Sequence, residues 1–277
     1  MNLWDSSIAQ IKEYIKHLSN QRSMRISEQG ERYEMLVNII SYLKDDNQKA
    51  SKSLIRFAER ILKVYSHWQE MISNEEKYIE SGYELIAGVD EVGRGPLAGP
   101  VVSASVILDR NICILGINDS KKLSETQREL LYSEIQKYAI SIGVGIIDAE
   151  IIDKINILRA SLDAMSQAVF ALSIQPNLVL VDGQHCPNIA LPTKSIIGGD
   201  GLSASIASAS IIAKVTRDRI MDDFDKIYPQ YGFSKNKGYP TPDHLTALRR
   251  FGPCKIHRKS FAPVSEIIQQ TEITFNL

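Results

Sequence analysis

The chain has 277 residues, of which 44% are hydrophobic and 23% charged, as is typical of a soluble globular protein. Its formal net charge of -1 excludes a uniformly basic surface, so a nucleic-acid interface would have to be a local patch. Three dispersed cysteines exclude a disulfide framework and a cysteine-rich zinc site. No stretch has the length and apolarity of a membrane span or a signal peptide, so we expect a cytoplasmic protein without membrane association.

Residues 1–80 are predicted to form a helical N-terminal extension. Apolar residues recur at helical spacing near its start, at Ile8, Ile11, Ile15 and Leu18. Residues 47–78 are predicted as one long helix with an apolar stripe at Leu54, Ala58, Ile61, Tyr65 and Trp68. A second face of this helix carries Lys49, Lys52, Arg56, Arg60 and Lys63. That basic face is either an ordinary solvated surface or a phosphate-contacting one, which would make the extension an accessory nucleic-acid-binding element.

From about residue 83 onward strands and helices alternate, which predicts an α/β domain around one sheet over residues 83–265, followed by a tail at 266–277. Strands are expected at 84–89, 98–108, 140–147, 178–181 and 194–197. Helices are expected at 124–138, 156–172, 203–228 and 244–251. Ser124 and Gln127 have the spacing of a capping box at the start of the first of these helices.

Four acidic residues stand at the ends of predicted strands or just after them: Asp90, Glu91, Asp182 and Asp200. Carboxylates without a nearby histidine or cysteine cluster suit Mg²⁺ or Mn²⁺ rather than zinc, and such ions promote phosphoryl displacement by water. Taken singly, each acid has a simpler explanation as a turn residue, a helix cap or an exposed strand end. Neighbouring strand residues also point to opposite faces, so Asp90 and Glu91 share a site only if the strand ends or distorts there.

A series of motifs in this part of the chain resembles the bacterial ribonuclease HII family. The first motif is GVDEVGRGPLAGPVVSASVIL, from Gly88 to Leu108. It is followed in order by DSKKL at 119–123, NILRAS at 156–161, LVDG at 180–183, GGD at 198–200, ASASIIAKVTRD at 207–218, GYPT at 238–241 and HRKSF at 257–261. Several ordered motifs over about residues 83–265 are far more specific than one glycine turn.

The resemblance implies a ribonuclease H-like fold, with a central mixed sheet flanked by helices, to which the helical extension is added. It implies endonucleolytic cleavage of the RNA strand in RNA–DNA hybrids, and cleavage at ribonucleotides embedded in duplex DNA. The family's catalytic and metal-binding acids correspond to Asp90, Glu91, Asp182 and Asp200. The implied cofactor is Mn²⁺ or Mg²⁺, with two ions acting during catalysis and products that carry 3′-hydroxyl and 5′-phosphate ends. We expect a monomer.

Substrate recognition is assigned by the same resemblance to Gly93, Arg94 and Gly95, which would contact the 2′-hydroxyl and backbone at the RNA–DNA junction, and to Tyr239, which would stack on the adjoining sugar. Further candidate phosphate contacts are Lys121, Lys122, Lys214 and Arg217, whose alternative is solvated surface charge. Two other functions stay open: a non-catalytic hybrid-binding protein, and ribonuclease HIII-type specificity. Arg94 and the helical extension argue against the latter.

Overall fold

A computed structural model describes residues 7–44 and 49–275. The strands are β1 Ser23–Arg25, β2 Ile86–Val92, β3 Val101–Leu108, β4 Ile112–Ile114, β5 Ala139–Ile147, β6 Leu178–Asp182 and β7 Thr193–Ile196. The α-helices are α1 Ile8–Asn20, α2 Ile26–Lys44, α3 Lys49–Glu80, α4 Glu125–Tyr138, α5 Ala149–Ile155, α6 Ile157–Phe170, α7 Ala204–Ile227, α8 Phe233–Asn236, α9 Pro242–Phe251 and α10 Val264–Phe275.

Five strands form one mixed sheet in the order β5-β3-β2-β6-β7. The pairs β5–β3 and β3–β2 are antiparallel, whereas β2–β6 and β6–β7 are parallel. Every residue of β3 is buried, because helices cover the centre of the sheet on both sides. The predicted α/β fold with a mixed sheet and flanking helices is therefore confirmed.

Glycines allow the two covering helices to approach the sheet closely. A Cβ atom on Gly88 of β2 would lie 2.1 Å from the carbonyl carbon of Ser205, so the small-residue start of α7 packs directly on this strand. On the other side, a Cβ on Gly145 of β5 would lie 2.0 Å from the Ala164 carbonyl oxygen of α6. Backbone contact of this kind requires the absence of a side chain.

The predicted elements of the α/β part are all present, with boundaries shifted by a few residues. The capping box at Ser124 and Gln127 is confirmed, since each side chain bonds the other residue's backbone N–H. Five of these strands and α-helices were missed in the sequence: the short strands β1 and β4, helix α5, the one-turn helix α8, and helix α10 where only a tail is predicted. The start of the predicted long helix, at residues 47 and 48, lies outside the described residues.

The N-terminal extension packs against the α/β part. The predicted apolar stripe of α3 is buried, and its Tyr65 and Trp68 belong to one hydrophobic cluster with Leu131 of α4 and Ile212 of α7. Strand β1 of the extension also pairs with β4 in a separate two-stranded sheet, with Met24 opposite Cys113. The division into extension and catalytic domain stays a prediction, but the two parts share a core.

A buried carboxylate strengthens this junction at the start of α7. Glu75 of α3 accepts hydrogen bonds from the hydroxyl groups of Ser203 and Ser205 and from the Ser205 backbone N–H, at 2.5–3.0 Å. Asn74 donates to the Leu202 carbonyl at 2.9 Å. An acid at a helix N-terminus satisfies free N–H groups and complements the helix dipole, so the extension supports the helix that follows Asp200.

None of the described helices combines the length and the apolarity that crossing a bilayer would require.

Candidate active site

The acids on β2 and β6 reach the same edge of the sheet because these two strands are parallel. Their pairing ends at Val89 opposite Val181, and the next residue on each strand is an aspartate, Asp90 or Asp182. Asp182 is held by the backbone N–H of Gly199, which donates to its Oδ1 atom at 2.7 Å. The carboxyl ends of parallel strands thus bring together two acids that are far apart in sequence.

Asp200 joins these two acids from a short 3₁₀ turn, Gly199–Gly201, that lies between β7 and α7. One carboxylate oxygen from each of Asp90, Asp182 and Asp200 lies within 4.8 Å of the others. Asp90 is only 5% exposed, and the backbone N–H of Glu91 donates to its Oδ1 at 2.7 Å. Three of the four predicted acids therefore converge on one point.

The electrostatics of this cluster fit a bound cation. Burial raises the pKa of Asp90 well above its usual range, and the charges of Glu91 and Asp182 raise it further. Burial likewise raises the pKa of Asp200, with further contributions from Asp182 and Asp119. Crowded carboxylates are costly to ionise unless a positive charge compensates them, and oxygen ligands suit Mg²⁺ or Mn²⁺. The residues present fit the divalent metal that the sequence predicts.

Glu91 occupies a different position from the other three acids. Strand β2 stays regular through both residues, with Asp90 opposite Ala104 and Glu91 opposite Ser103, so their side chains alternate between the faces of the sheet. Glu91 is accordingly absent from the group of converging oxygens, and its Oε1 lies 3.3 Å from Nη1 of Arg94. Its role as a metal ligand stays a prediction.

A fully buried arginine holds the glycine-rich loop that follows β2. Arg258 directs all five guanidinium N–H groups at backbone carbonyls, two of them at Gly99 and the others at Gly93, Arg94 and Pro96, at 2.6–3.0 Å. The planar fork of arginine is the one side chain with enough donors for this task. Burial lowers the pKa of Arg258 to about 9. The loop is therefore preorganised by a residue about 160 positions away.

Arg217 is a second buried arginine, and its predicted role as a phosphate contact is wrong. It has no exposed surface, and its guanidinium donates to the carbonyls of Pro100, Lys237 and Ala98 at 2.9–3.2 Å. Burial lowers its pKa to about 10. Gly93 has a left-handed φ of +94°, and a Cβ there would lie 2.2 Å from Nε of Arg217. Arg217 is thus a structural support of the loop.

Of the predicted recognition residues, Gly93 is buried inside this loop, so contact of Gly93 with a substrate stays a prediction, whereas the other three reach solvent. Gly95 is exposed, Arg94 is half-exposed, and Tyr239 is 42% exposed. The Cε1 atom of Tyr239 lies 3.8 Å from the position that a Cβ on Gly95 would take. The structure therefore brings Tyr239 beside the Gly-Arg-Gly turn, across 144 residues of sequence.

Asn236, to which the sequence assigns no role, shapes the turn before Tyr239. It is nearly buried, its Nδ2 donates to the Tyr231 carbonyl, and its Oδ1 accepts from the Gly238 N–H at 2.8 Å. Lys237 and Gly238 both have left-handed φ values, of +48° and +84°. An amide that both donates and accepts can stabilise such a turn from inside.

The three predicted lysine contacts differ in their surroundings. Burial alone would lower the pKa of Lys121, but the carboxylates around it, including Asp90 and Asp200, raise it. Lys122 is exposed and lies 3.7 Å from Asp119. Lys214 is mostly covered and forms a 2.6 Å ion pair with Asp218. Lys121 is hence the best placed for a phosphate near the acids, and contacts by the other two stay predictions.

Three supporting residues were not found by reasoning from the sequence: Arg258, Asn236 and Asp119. Asp119 belongs to the DSKKL motif, in which only the lysines were singled out from the sequence. It interacts with Asp200, and its Oδ1 accepts a hydrogen bond from the Lys121 backbone N–H at 2.9 Å. Arg258 lies in the HRKSF motif, and Asn236 immediately precedes Lys237 and Gly238. For Asp119 and Arg258 the available signal was a polar residue inside a motif, and for Asn236 it was a polar residue just before one, but burial could not be read from either.

The sheet and its acidic edge together define a class, that of metal-dependent nucleases with a ribonuclease H-like fold. Comparison with known proteins narrows this class. The family model described as ribonuclease HII matches residues 87–264. The chain belongs to the ribonuclease HII family, and is an enzyme of the metal-dependent endoribonuclease type.

Relatives and a solved structure agree with this assignment. The ribonuclease HII of Lactobacillus helveticus (strain DPC 4571) is 51% identical over 229 residues, covering 82% of this chain and 91% of the relative. The ribonuclease HII of Lactobacillus acidophilus is 46% identical over 263 residues, covering 95% and 100%. The crystal structure of ribonuclease H2 from Pyrococcus horikoshii OT3 matches with a TM-score of 0.58 and 26% identity, covering 68% of this chain and 99% of that chain.

Proposed function

We propose that this enzyme hydrolyses the RNA strand of RNA–DNA hybrids and also cuts duplex DNA at embedded ribonucleotides. The observation that carries the proposal is the exposed surface formed by Gly95 and Tyr239. Gly95 lies in the loop that directly follows the strand carrying Asp90 and Glu91, and Tyr239 packs beside that loop. A 2′-hydroxyl is what distinguishes RNA from DNA at a given site. An exposed glycine backbone can approach that hydroxyl, because no side chain of its own intervenes.

The metal-binding residues in this proposal are Asp90, Asp182 and Asp200, with Glu91 beside them. When bound, one or two Mg²⁺ or Mn²⁺ ions would supply a water activated for attack and stabilise the charge on the leaving oxygen. Asp182 is fixed for this task by the Gly199 N–H, and Asp90 by burial against α7. The side chain of Lys121 faces the same carboxylates and would neutralise the scissile or adjoining phosphate.

Recognition of the substrate is assigned to the loop and its neighbour. Gly93 gives the turn its left-handed conformation, Gly95 offers exposed backbone to the ribose, and Arg94 can fork onto a neighbouring phosphate. Tyr239 would stack on the sugar beside the ribonucleotide and test it for the absence of a hydroxyl. Because water rather than the 2′-hydroxyl attacks, the products should carry 3′-hydroxyl and 5′-phosphate ends. A monomeric state and a cytoplasmic location stay predictions.

A panel of matched duplexes tests this proposal. The substrates are one DNA duplex, the same duplex with a single ribonucleotide, and the same sequence with a full RNA strand, each assayed with Mg²⁺ and with Mn²⁺. We expect cleavage of both ribose-containing duplexes and none of the DNA duplex. Ligation of the 5′-phosphate product by a DNA ligase checks the end chemistry. Cleavage of all three duplexes at similar rates would contradict recognition of the 2′-hydroxyl.

A further inference from the structure

A cavity of about 300 Å³ lies where the N-terminal extension meets the α/β part. Arg22, Lys63 and His67 line it from the extension, and Gly116, Asn118 and Gln127 are among the residues that line it from the other side. We call it the seam pocket. It is separate from the acidic cluster, and of its charged lining residues only Lys63 was singled out from the sequence, as part of the basic face of α3.

The described polar side chains that line the seam pocket all carry hydrogen-bond donors, and none of them is acidic. Within residues 7–44 and 49–275, neither Arg22 nor Lys63 has a carboxylate within ion-pair distance. The Nε2 atom of His67 is shielded from solvent and lacks a hydrogen-bond partner in the described part of the chain. Asn118 uses its carbonyl oxygen to accept from the Asp119 N–H, which leaves its NH₂ group as a donor.

Such a lining is complementary to an anion. Among residues 7–44 and 49–275 no aspartate or glutamate lines the cavity, and Glu70 reaches only its rim, where its Oε2 lies 4.0 Å from Nδ1 of His67. Arg22 lies over Gly116, with Nη1 3.5 Å from where a Cβ would be, so a larger residue there would narrow the space. Phosphate oxygens accept from arginine, lysine and imidazole groups together, because each oxygen offers several lone pairs.

The geometry points to a backbone phosphate of the substrate duplex as the occupant, a conclusion that rests on the proposed function. Asn118 in the pocket wall directly precedes Asp119, which interacts with Asp200, and Lys121 of the same turn faces the acids. A duplex bound at the acids would pass this wall. From Lys63 towards the N-terminus of α3, the basic face continues with the exposed residues Arg60, Arg56 and Lys52. We infer that the seam pocket anchors the duplex backbone beyond the cleavage site and that the basic face of α3 extends this contact.

The test compares two double variants that remove equal charge from the extension. The first, Arg22→Gln with Lys63→Gln, alters the pocket. The control, Lys12→Gln with Lys16→Gln, alters two exposed lysines of α1 that do not line the pocket. Both are made in the full chain carrying Asp90→Asn, and binding to a labelled duplex with one ribonucleotide is measured from about 0.05 to 0.2 M salt. Lys63→Gln alone, at an exposed position, covers the case in which Arg22→Gln unfolds the protein.

We expect the pocket variant to bind about ten-fold more weakly at the higher salt, and the slope of log K against log[salt] to become shallower by about 1. The control should stay within about two-fold of the parent. Equal binding and equal slopes for the pocket variant and the control would overturn the inference. A second measurement uses inorganic phosphate and compares the melting temperatures of the parent and the pocket variant. If phosphate raises the melting temperature of the parent alone while both proteins bind the duplex equally well, the pocket holds free phosphate, and its assignment to the duplex is wrong. Cleavage by the otherwise unaltered enzyme is assayed separately, so a failure of the proposed function would be recognised independently.

Discussion

Substitution of Arg258 by lysine should destabilise the protein although the positive charge is kept. The guanidinium makes five hydrogen bonds to four buried carbonyls, whereas a lysine ammonium has three donors and no planar fork. At least two of the five bonds are therefore lost. A buried polar group left without a partner costs about 1–3 kcal/mol, so Arg258→Lys should cost about 2–4 kcal/mol.

This loss is large enough to measure by thermal unfolding. For a chain of this length about 1 kcal/mol corresponds to roughly 2–4 °C, so the melting temperature should fall by roughly 4–16 °C. The matched control is Arg249→Lys, at an exposed position of α9, which should change stability by less than about 0.5 kcal/mol. If Arg258→Lys melts within about 1 °C of the control, the hydrogen bonds to the loop carbonyls contribute little to the stability of the fold.

Three further predictions address packing, the junction with the extension and the acidic cluster. Gly88→Ala should destabilise the protein by about 3 kcal/mol in urea unfolding, because its Cβ would meet the Ser205 backbone. Gly30→Ala in helix α2, where a Cβ meets nothing within 4 Å, should stabilise the protein by up to about 1 kcal/mol. The reverse order of the two stabilities would refute the packing argument. Glu75→Ala should lower the free energy of unfolding by about 2–4 kcal/mol, because it leaves the donors of Ser203 and Ser205 unpaired. Glu75→Gln should lower it much less. A loss below about 0.5 kcal/mol for Glu75→Ala would show that solvent replaces the carboxylate. In metal-free protein the pKa of Asp90 is raised above the 3.8 of an unperturbed aspartate, because burial disfavours its charged form. The native state therefore binds this proton more tightly than the unfolded state does, and the stability that Asp90 contributes is lost as pH rises. Asp90→Asn should be about as stable as the parent near pH 4 and more stable than the parent near pH 7.5, and a difference in unfolding free energy that shrinks as pH rises would contradict the sign.

Much of the fold and the acidic cluster could be predicted from the sequence because the signals were periodic or local. The apolar stripe of α3 is buried as its spacing indicates, and Ser124 caps α4 as its partner Gln127 indicates. The convergence of Asp90 with Asp182 follows from two apolar strand segments that are each followed directly by an aspartate. Such features depend on a few neighbouring residues, and so they can be read without coordinates.

The remaining features depend on which face of an element is covered. Lys214 and Arg217 stand three residues apart on one helix, yet the first forms an ion pair at the surface and the second is wholly buried. Only the position of the loop carbonyls decides between them. The strand pair β1–β4 has three residues per strand, too few for a period-two pattern. Helix α10 did carry a signal in Val264, Ile267 and Ile268, whose spacing is helical and which pack on one cluster.

Glu91 lies at the margin of the acidic cluster. Burial raises the pKa of Glu91, the Arg94 guanidinium opposes this rise, and the charge of Asp182 adds to it. The strand stays regular, so the carboxylate of Asp90 lies with Asp182 and Asp200 while that of Glu91 lies beside Arg94. Asp90 is thus the member of the pair on which the metal site depends most directly.

The central claim is that Asp90, Asp182 and Asp200 hold the divalent metal that cleaves ribose-containing duplexes. Its most direct test is the initial rate of cleavage of a duplex with one embedded ribonucleotide, measured with Mn²⁺ for the parent and for Asp90→Asn, after thermal unfolding has shown that the variant is folded. We expect the parent to cut and the variant to lose activity by about three orders of magnitude, equivalent to about 4 kcal/mol of transition-state stabilisation. A folded Asp90→Asn variant that cuts as fast as the parent would contradict the account.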